Sequence, residues 1–345
     1  MNELRADTIS NSWTIISSDR QKRPNNFSLK KDHKSFTSCA FCEGNESHTP
    51  PENYAVRPNF SSANGPGWNI RVVPNKYPAV KIGSIVNKES GNEFFKAIPA
   101  VGNHEVIIDS PFHSIRWEHQ SISHLSTILT VIQNRLSDQE KRNVDTFALV
   151  FKNEGEYAGA SLEHPHMQCI SLPVVPPVIE RELLRARRYY HLKKRCIICD
   201  MIGFEKQNVS RMVCENPSYS VFCPYASRFA YELCIVPKTH NYSFLNTQPN
   251  DIINLADILV TVLNALNSIL THFHYNVIFK TVPLMLFEKT LLMHETGDAY
   301  HWHITIAPRI SPLQGTDWGT GVYVNAQSPE NSAKVLRKYI EKTTQ

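Results

Sequence analysis

The chain has 345 residues, which is long enough for two ordinary domains or one large one. Hydrophobic residues make up 41% of the chain and charged residues 20%, which is typical of a globular protein with a buried core. The formal charge of +4 is too small to indicate nucleic-acid binding, although a slight positive balance suits phosphorylated substrates.

No targeting or membrane segment is expected. The first residues, MNELRADTISNSW, carry charges and lack the apolar stretch of a signal peptide. The most apolar stretch, Ile252–Leu270, is interrupted by polar residues, which favours an amphipathic core helix over a membrane span. Eight cysteines without a secretory signal indicate a reducing compartment, where Cys-x-x-Cys pairs bind metal more often than they form disulfides. A cytoplasmic protein is therefore predicted.

Loop-rich structure is predicted for the first 60 residues, which are rich in Pro, Ser, Asn and Lys, with one short strand at 13–16. After them, β-branched runs bounded by turn residues predict strands, and apolar residues at helical spacing predict helices. In chain order these are strand 69–73, strand 104–108, helix 121–142, strand 146–152, strand 164–172, helix 179–194, strand 231–236, helix 251–273, strand 276–282, strand 301–307 and helix 328–342.

The second half repeats the landmarks of the first half in the same order, which is the pattern of an internal duplication. The first half contains Cys39-x-x-Cys42, Glu105 to His113, Leu149 to Lys152, and His164-Pro-His166. The second half contains Cys196-x-x-Cys199, Glu232 to His240, Val277 to Lys280, and His301-Trp-His303. We therefore predict an α+β fold in which two repeats, 1–177 and 178–345, merge into one unit with an antiparallel sheet and flanking helices.

Each repeat offers two cysteines and two histidines, a common ligand set for structural zinc. The first set is Cys39, Cys42, His113 and His164, and the second is Cys196, Cys199, His240 and His301. Both cysteine pairs are expected on turns, where two thiolates can converge on one ion. A redox-active pair is disfavoured, because neither pair is expected to open a helix that would lower its pKa. Unliganded thiols and ordinary polar histidines are the alternative.

The segment from Asn153 to Gln168 is the most specific signal in the chain. A predicted strand runs into a glycine-containing loop and then into a His-x-His strand, where residues two apart share a face. His164, His166 and Gln168 are therefore expected to point the same way. The small residues Gly159, Ala160 and Ser161 would place backbone and hydroxyl donors near that face, as a phosphate cradle does.

The chemistry of this segment points to nucleophilic catalysis by His166. A neutral imidazole is a competent nucleophile near pH 7, and attack on phosphorus would form a covalent phosphoramidate. If His164 binds metal, His166 is free for that role. Gln168 can hydrogen-bond a phosphoryl oxygen but cannot act as a general acid. The alternative is that these are ordinary residues of a sheet.

At these residues the sequence resembles the galactose-1-phosphate uridylyltransferase family of the histidine-triad superfamily, over nearly the whole chain. The resemblance implies two histidine-triad-like repeats and an enzyme of galactose and carbohydrate metabolism. It implies a ping-pong transfer of the UDP-glucose–hexose-1-phosphate uridylyltransferase type. His166 would take a nucleoside monophosphate from a nucleotide sugar, release hexose 1-phosphate, and pass the nucleotidyl group to a second phosphate. The motifs that carry the resemblance are Glu3-Leu-Arg with Trp13, Arg20-Gln-Lys-Arg23-Pro24, Cys39-Ala-Phe-Cys42, Asn75-Lys-Tyr-Pro78, Ser110-Pro-Phe-His113 and the block Phe151 to Gln168.

The resemblance also implies roles for individual residues. Three of them would help to hold the nucleotide: Arg20, Arg23 and Asn75. Four would contact its phosphates: Asn153, Gly159, Ser161 and Gln168. The family forms homodimers in which each subunit helps to complete the other's site, and here the contributing segment would include Gly321, Tyr323 and Asn325.

Two departures from the family pattern leave the base open. Some uridylyltransferases carry a second metal site with a glutamate, which Glu182 matches, but Lys280 stands where a histidine is expected. The second Cys-x-x-Cys pair, with His240 and His301, instead is similar to plant-type ADP-glucose phosphorylases, adenylyltransferases that use phosphate as acceptor. His303 matches the nucleophile by position in the repeat, but it lacks the glycine-rich approach and is interpreted as vestigial.

Two other classes of function compete with nucleotidyl transfer. A nucleotide hydrolase of the wider superfamily would have a third histidine where Gln168 stands, so Gln168 favours a phosphate acceptor over water. A zinc-stabilised binding protein would gather its basic residues in one stripe with aromatics. Here most basic residues are dispersed, and the one cluster is interpreted as a solvated helix face. That cluster comprises Arg185, Arg187, Arg188, Lys193, Lys194 and Arg195.

Overall fold

The computed structural model describes residues 2–22, 39–83, 90–142, 146–271, 273–284 and 295–344. Arg23 lies outside these residues. The helices are α1 (Ile122–Lys141), α2 (Pro177–Lys193), α3 (Ile197–Asn208), α4 (Pro249–Leu270), α5 (Thr296–Ala299), α6 (Gly315–Thr320) and α7 (Pro329–Thr344). The strands are β1 (Glu3–Ala6), β2 (Trp13–Ile16), β3 (Tyr54–Val56), β4 (Ile70–Pro74), β5 (Ser90–Gly91), β6 (Lys96–Ala97), β7 (His104–Ile108), β8 (Phe147–Glu154), β9 (His166–Leu172), β10 (Met212–Glu215), β11 (Tyr219–Phe222), β12 (Leu233–Pro237), β13 (Tyr275–Lys280), β14 (His303–Pro308) and β15 (Tyr323–Asn325).

Ten of these strands form one antiparallel sheet in the order β10-β11-β12-β14-β13-β8-β9-β7-β4-β3. The halves of the chain meet at the centre, where β8 pairs with β13. Outward from this pair each half has five strands connected in the same pattern, so the predicted α+β fold with two merged repeats is confirmed. The predicted boundary after residue 177 falls at the first residue of α2 and stays a prediction.

The strand register corrects part of the sequence alignment between the repeats. Lys280 of β13 lies opposite His303, whereas Lys152 of β8 lies opposite Met167, the residue after His166. Lys280 is therefore the counterpart of Asn153, and the match of Lys280 with Lys152 is wrong by one residue. A shift of one residue turns a side chain to the opposite face of a sheet, so the two lysines lie on different faces.

The main hydrophobic core lies between the helices and one face of the sheet. Apolar residues of α1, among them Leu125, Ile128 and Leu136, are buried here with those of α4. Each such side chain stabilises the fold by about 1.5–3 kcal/mol. By length and apolarity α4 could cross a membrane, but half of its most apolar window is buried inside the protein. It is the predicted core helix, and it begins two residues early because Pro249 suits a first helical position.

A second, three-stranded sheet is built from both ends of the chain. In it β1 pairs antiparallel with β2, and β15 pairs parallel with β2. The hydroxyl of Thr14 donates to the Ala226 carbonyl at 3.0 Å, and Arg5 forms a 2.9 Å ion pair with Glu330. The first contact fixes the small sheet against the segment that joins β11 to β12, and the second fixes it to the start of α7.

Several elements were not predicted from the sequence. One strand was predicted before residue 60, but β1 and β3 also form, because long-range partners stabilise strands too short to be recognised from local sequence. Helix α3 was not predicted either; it follows directly after Cys196 and buries Ile197, Ile198 and Ile202. The predicted strand from 164 begins at His166, so His164 precedes it.

Candidate active site and metal sites

His166 is the first residue of β9 and is almost fully buried. Its Nδ1 lies 2.8 Å from the carbonyl oxygen of His164. A carbonyl can only accept, so Nδ1 carries the proton and Nε2 keeps the lone pair of a nucleophile. The ring packs edge-on against Phe41, with centroids 5.3 Å apart. Burial lowers the pKa of His166, which keeps the imidazole neutral.

The face of the sheet that carries His166 also carries the polar groups predicted beside it. Met167 and Cys169 point into the helix-side core, so His166 and Gln168 share the opposite face. The register that pairs Lys152 with Met167 puts Asn153 next to His166 on that face. His164 lies just before the strand, and its Nδ1 points towards Cys39 and Cys42 instead. The expectation that all three side chains point together therefore holds for His166 and Gln168 only.

The glycine-containing loop between β8 and β9 folds back over the end of β8. Gly155 has φ +84° and any Cβ there would meet the ring of His274 at 2.6 Å, so only glycine fits. The amide of Asn276, from the second repeat, donates to the side-chain oxygen of Asn153 and to the Ala158 carbonyl, each at 2.8 Å. Gly159 and Ser161 remain exposed, which leaves their donors accessible to a ligand.

Gln168 is in contact with His104 on this face, and His104 is in turn in contact with Asn75. His104 of β7 lies 2.8 Å from the Gln168 side-chain oxygen through Nε2. The amide nitrogen of Asn75 lies 3.2 Å from the same Nε2. Asn75 and Gln168, which the family resemblance assigns to different parts of the nucleotide, therefore meet at one histidine. Sequence reasoning missed His104, because a histidine at the start of a strand carries no local signal.

A buried ionic cluster lies beneath His166 on the helix side of the sheet. The Lys152 Nζ is 2.7 Å from Asp109 and 3.1 Å from Glu154, and both Lys152 and Asp109 side chains are inaccessible to solvent. Nζ also lies 3.4 Å from the backbone oxygen of His166. Burial alone would lower the pKa of Lys152, but the two carboxylates raise it above its ordinary value. Sequence reasoning used Lys152 only as a landmark and missed its buried partners.

The first predicted ligand set, Cys39, Cys42, His113 and His164, converges on one point. The distances between Sγ and Nδ1 atoms test the fit, because tetrahedral zinc with standard bond lengths requires about 3.6 Å between a sulfur and a nitrogen ligand. His164 Nδ1 lies 3.7 Å from Cys39 Sγ and 3.6 Å from Cys42 Sγ, and His113 Nδ1 lies 3.4 Å from Cys42 Sγ. His164 also donates from Nε2 to the Ser110 carbonyl at 2.8 Å, a contact typical of metal-binding histidines. The four residues could therefore hold a metal ion.

The second ligand set, Cys196, Cys199, His240 and His301, has the same arrangement. Cys199 Sγ lies 3.4 Å from Nδ1 of each histidine, and His240 Nε2 donates to the Gly297 carbonyl at 2.8 Å. These distances again match a tetrahedral ion.

The prediction that neither cysteine pair opens a helix is wrong for this second pair. Cys196 is the N-cap of α3, so this pair does open a helix, and it does not lie on a simple turn. A hydrogen bond from Cys199, followed by those from His240 and His301, lowers the pKa of Cys196. The case against a redox-active pair therefore rests on the two histidine nitrogens at ligand distance and not on the absence of a helix.

The remaining residues predicted to bind substrate lie in another part of the folded structure. Arg20 donates to Gln314 at 2.7 Å, and Tyr323 pairs with Thr14 in the small sheet. The Asn325 amide donates to the carbonyls of Ser227 and Phe229. Gly321 is the left-handed C-cap of α6, two residues before the start of β15.

These residues are far from His166. The small sheet packs on the segment between β11 and β12, and β12 lies four strands from β9 in the large sheet. With about 4.8 Å between strands, this separation is roughly 19 Å or more. One chain therefore does not bring Arg20, Gly321, Tyr323 or Asn325 to His166.

His303, the counterpart of His166, has different surroundings. Its Nδ1 lies 3.2 Å from the His301 carbonyl, as in the first repeat, but Lys280 replaces Asn153 beside it. Lys280 forms a 2.5 Å ion pair with Glu182. An ammonium group at this place repels a cation, which agrees with the doubt about a second metal site of the glutamate type. The basic cluster on α2 is mostly exposed, as expected for a solvated helix face.

Comparison with known proteins places these features in a family. The family profile for the N-terminal domain of galactose-1-phosphate uridyl transferase matches residues 1–176. An ADP-glucose phosphorylase of Arabidopsis thaliana is 31% identical over 342 residues, covering 97% of this chain and 92% of that protein. A galactose-1-phosphate uridylyltransferase of Thermotoga maritima is 26% identical over 347 residues, covering 98% of each chain.

The fold comparison agrees. The crystal structure of an Arabidopsis thaliana ADP-glucose phosphorylase with bound ADP-glucose superimposes with a TM-score of 0.82 at 30% identity. The match covers 98% of this chain and 99% of that structure. Matched sequence, fold and ligand geometry together show that the chain belongs to the galactose-1-phosphate uridylyltransferase family.

Proposed function

We propose that this protein transfers a nucleoside monophosphate from a nucleotide sugar to a phosphate-bearing acceptor through a covalent nucleotidyl-His166 intermediate. The observation that carries the proposal is the state of His166: its Nδ1 proton is held by the His164 carbonyl, and its neutral Nε2 shares a face with Asn153 and Gln168. These neighbours offer N–H donors to phosphoryl oxygens and include no general base for water.

The two half-reactions follow from this geometry. The Nε2 lone pair attacks the α-phosphorus of the nucleotide sugar, the Nε2–P bond forms, and the bond to the bridging oxygen breaks. Hexose 1-phosphate leaves as an anion and needs no general acid, which suits Gln168. The positive charge on the imidazolium is stabilised by the hydrogen bond from Nδ1 to the His164 carbonyl. An oxygen of the second phosphate then attacks phosphorus and releases neutral His166.

We infer adenylyl transfer from ADP-glucose to phosphate, the alternative that the sequence left open beside uridylyl transfer. Its support is the higher identity to the plant ADP-glucose phosphorylase, 31% against 26% for the Thermotoga uridylyltransferase. The second cysteine pair at helix α3 supports it as well, because that pair carries the resemblance to plant-type phosphorylases.

The test uses ADP-glucose and UDP-glucose, each labelled in the α-phosphate, with the purified protein. A phosphoramidate is stable in alkali and labile in acid, so the quenched protein should keep base-stable label from ADP-glucose and lose it in acid. Labelled protein chased with phosphate should then yield ADP. Better labelling by UDP-glucose, with release to galactose 1-phosphate, would establish the uridylyl alternative. Labelling by neither donor would contradict nucleotidyl transfer.

We also propose that zinc occupies both ligand sets. Two thiolates and two imidazoles at tetrahedral spacing are the donors that zinc prefers. The first zinc would lie next to the nucleophile. His164 would bind it through Nδ1, and the backbone oxygen of His164 accepts a hydrogen bond from Nδ1 of His166. In that place the zinc holds the segment before β9 in position. The second zinc lies in the other repeat and would stabilise the fold alone.

Single cysteine variants separate these two roles. Cys42→Ala is expected to lose one of two bound zinc ions and to lower the rate of transfer, because the segment carrying His166 loses its anchor. Cys199→Ala is expected to lose the other ion and to lower the melting temperature, with kcat little changed. Native mass spectrometry, calorimetry and steady-state kinetics measure the three quantities. Equal loss of kcat in both variants would contradict the division of roles.

We propose further that the active protein is a homodimer in which the small sheet of one subunit completes the site of the other. Its support is the separation, within one chain, between His166 and Arg20, Gly321 and Tyr323. Residues that the family resemblance assigns to one site can meet only if a second copy supplies them.

Complementation between inactive variants tests the dimer. His166→Asn and Tyr323→Ala homodimers should both be impaired. After unfolding and refolding as an equal mixture, half of the dimers are mixed, and one of their two sites has both native residues. Activity should therefore recover to about a quarter of the wild-type value. No recovery, despite mixed dimers in native mass spectrometry, would show that each site lies within one chain.

A further inference from the structure

Asn276 of β13, in the second repeat, lies directly opposite Asn153 of β8 in the large sheet. Residues directly opposite each other in neighbouring strands project from the same face, so both amides lie on the face that carries His166. The Asn276 side-chain nitrogen lies 2.8 Å from the Asn153 side-chain oxygen and 2.8 Å from the Ala158 carbonyl oxygen. The second repeat therefore contacts both the phosphate-binding residue Asn153 and the glycine-containing loop.

These contacts define which atom of each amide faces the other. A backbone carbonyl can only accept, so the Asn276 atom that contacts Ala158 and Asn153 is the nitrogen, which has two N–H groups for two acceptors. The Asn153 atom that faces this nitrogen must then be its oxygen. The Asn153 nitrogen lies 3.4 Å from the Gly159 carbonyl, which again can only accept. Two backbone carbonyls therefore require the same orientation of the pair, and one N–H of Asn153 stays available to a ligand.

The first repeat has no counterpart of Asn276. Asn276 stands four residues before Lys280, the counterpart of Asn153, and four residues before Asn153 the chain has Leu149. An aliphatic side chain cannot donate a hydrogen bond, so Lys280 receives no equivalent contact from Leu149. The polar pair is thus a departure from the duplication, and it occurs on the side of the sheet centre that carries His166.

The orientation of the Asn153 amide matters for phosphoryl transfer. The non-bridging oxygens of the transferred phosphorus are negatively charged, so an N–H donor stabilises them and an amide oxygen would repel them. We propose that Asn276 is a positioning residue, supplied by the second repeat, that holds the Asn153 amide with an N–H towards the transferred phosphate. This inference rests on the proposed function. Both N–H groups of Asn276 are used within the protein, so it acts through Asn153.

Two substitutions keep the size of the Asn276 side chain and remove its donor. Asn276→Leu leaves position 276 apolar, so the Asn153 amide is free to rotate. Asn276→Asp can only accept, so Asn153 turns its nitrogen towards position 276 and its oxygen towards the phosphate. A positioning role predicts a loss in kcat/KM of roughly 10-fold for Asn276→Leu and a loss at least as large for Asn276→Asp.

Asn216, in the turn between β10 and β11, provides a matched control. Its amide nitrogen also donates to two oxygens, the Asn254 carbonyl at 2.7 Å and the Asp257 carboxylate at 3.3 Å. This turn is at the edge of the large sheet, where β10 lies six strands from β9. Asn216→Leu should therefore lower the melting temperature and leave kcat/KM unchanged.

The deciding experiment is a double-mutant cycle with Asn276→Leu, Asn153→Ala and the double variant. The readouts are kcat/KM with the better labelling donor, and the preference between its two α-phosphorothioate diastereomers. If Asn276 acts through Asn153, the double variant is no slower than Asn153→Ala. The diastereomer preference should also fall in Asn276→Leu, because a freely rotating amide no longer distinguishes the two non-bridging oxygens.

Each outcome has a distinct meaning. Multiplied rate losses in the double variant would overturn the positioning role while nucleotidyl transfer stands, since Asn276 would then act through the loop at Ala158. The positioning role is likewise overturned if Asn276→Leu and Asn276→Asp, both folded by their melting temperatures, keep the rate and diastereomer preference of the wild type. If wild-type protein is not labelled by ADP-glucose or UDP-glucose, the proposed function fails, and the role of Asn276 falls with it.

Discussion

Replacing His166 by asparagine is expected to abolish the covalent intermediate and to lower the rate of nucleotidyl transfer by about 10⁴-fold or more. Asparagine places an amide nitrogen near the position of Nδ1, so the contact with the His164 carbonyl can persist. It removes Nε2, the only ring atom with a free lone pair. The loss therefore comes from the missing nucleophile and not from a disturbed strand. Base-stable labelling of the protein and steady-state kinetics measure it.

The duplication provides a matched control in the same chain. His303 has the same position in the second repeat and a similar contact between Nδ1 and a histidine carbonyl. Burial, followed by repulsion from Lys280, lowers the pKa of His303 to about 3. The sequence before His303 also lacks the glycine-rich pattern that precedes His166. His303→Asn should thus retain the labelled intermediate and most of the activity. Labelling that survives in His166→Asn and disappears in His303→Asn would assign the nucleophile to the other repeat.

Replacing Lys152 by methionine is expected to lower the free energy of unfolding by about 3–5 kcal/mol. Methionine is close to lysine in size, so the change removes a charge while leaving little empty space. Asp109 and Glu154 would then remain buried without the cation between them. Chemical denaturation with urea measures the loss, and the slope of the transition shows whether the folded state has changed.

The pH dependence of this effect follows from the raised pKa of Lys152. A group whose pKa is higher in the folded state stabilises the fold fully below its unfolded pKa. That contribution is lost as the pH rises through the folded value. The difference between wild type and Lys152→Met should therefore be constant around neutrality and decrease only at strongly alkaline pH.

Lys280→Met serves as the control for Lys152→Met. Lys280 has one carboxylate partner, Glu182, and its side chain is 14% exposed, whereas Lys152 is fully buried. Part of the charge left on Glu182 can be screened by solvent, so a smaller loss of stability is expected. An equal loss in both variants would show that the cost comes from changed packing and not from buried charge.

Much of the site was predictable from local sequence patterns. Cys39-x-x-Cys42 and Cys196-x-x-Cys199 each bring two sulfurs together by their spacing alone, and the duplication marks the matching histidines. The shared face of His166 and Gln168 follows in the same way from the period of two residues along β9. Helices α1 and α4 were predicted to within three residues, because their apolar periodicity extends over five turns or more.

Other features depend on contacts that no local pattern encodes. Whether Lys280 corresponds to Lys152 or to Asn153 depends on strand register, which is set by pairing between distant segments. The alignment of the two repeats by sequence paired Lys280 with Lys152, one residue away from its true counterpart Asn153. It therefore assigned Lys280 to the wrong face of the sheet. Helix α3 was missed because the cysteines at its start suggested a turn, whereas burial of its isoleucines in a hydrophobic cluster with residues of α2 and β12 stabilises a helix.

The sequence by itself determined the fold class, the duplication, the two metal-ligand sets and the candidate nucleophile, because each is encoded by short-range spacing or by repetition of that spacing. Only the tertiary structure decided which groups surround His166: the buried Lys152 cluster beneath it and His104 beside Gln168. The tertiary structure also places Tyr323 far from His166 within one chain. The physical reason is the same in each case, since these arrangements depend on strand register and on the packing of segments far apart in the chain.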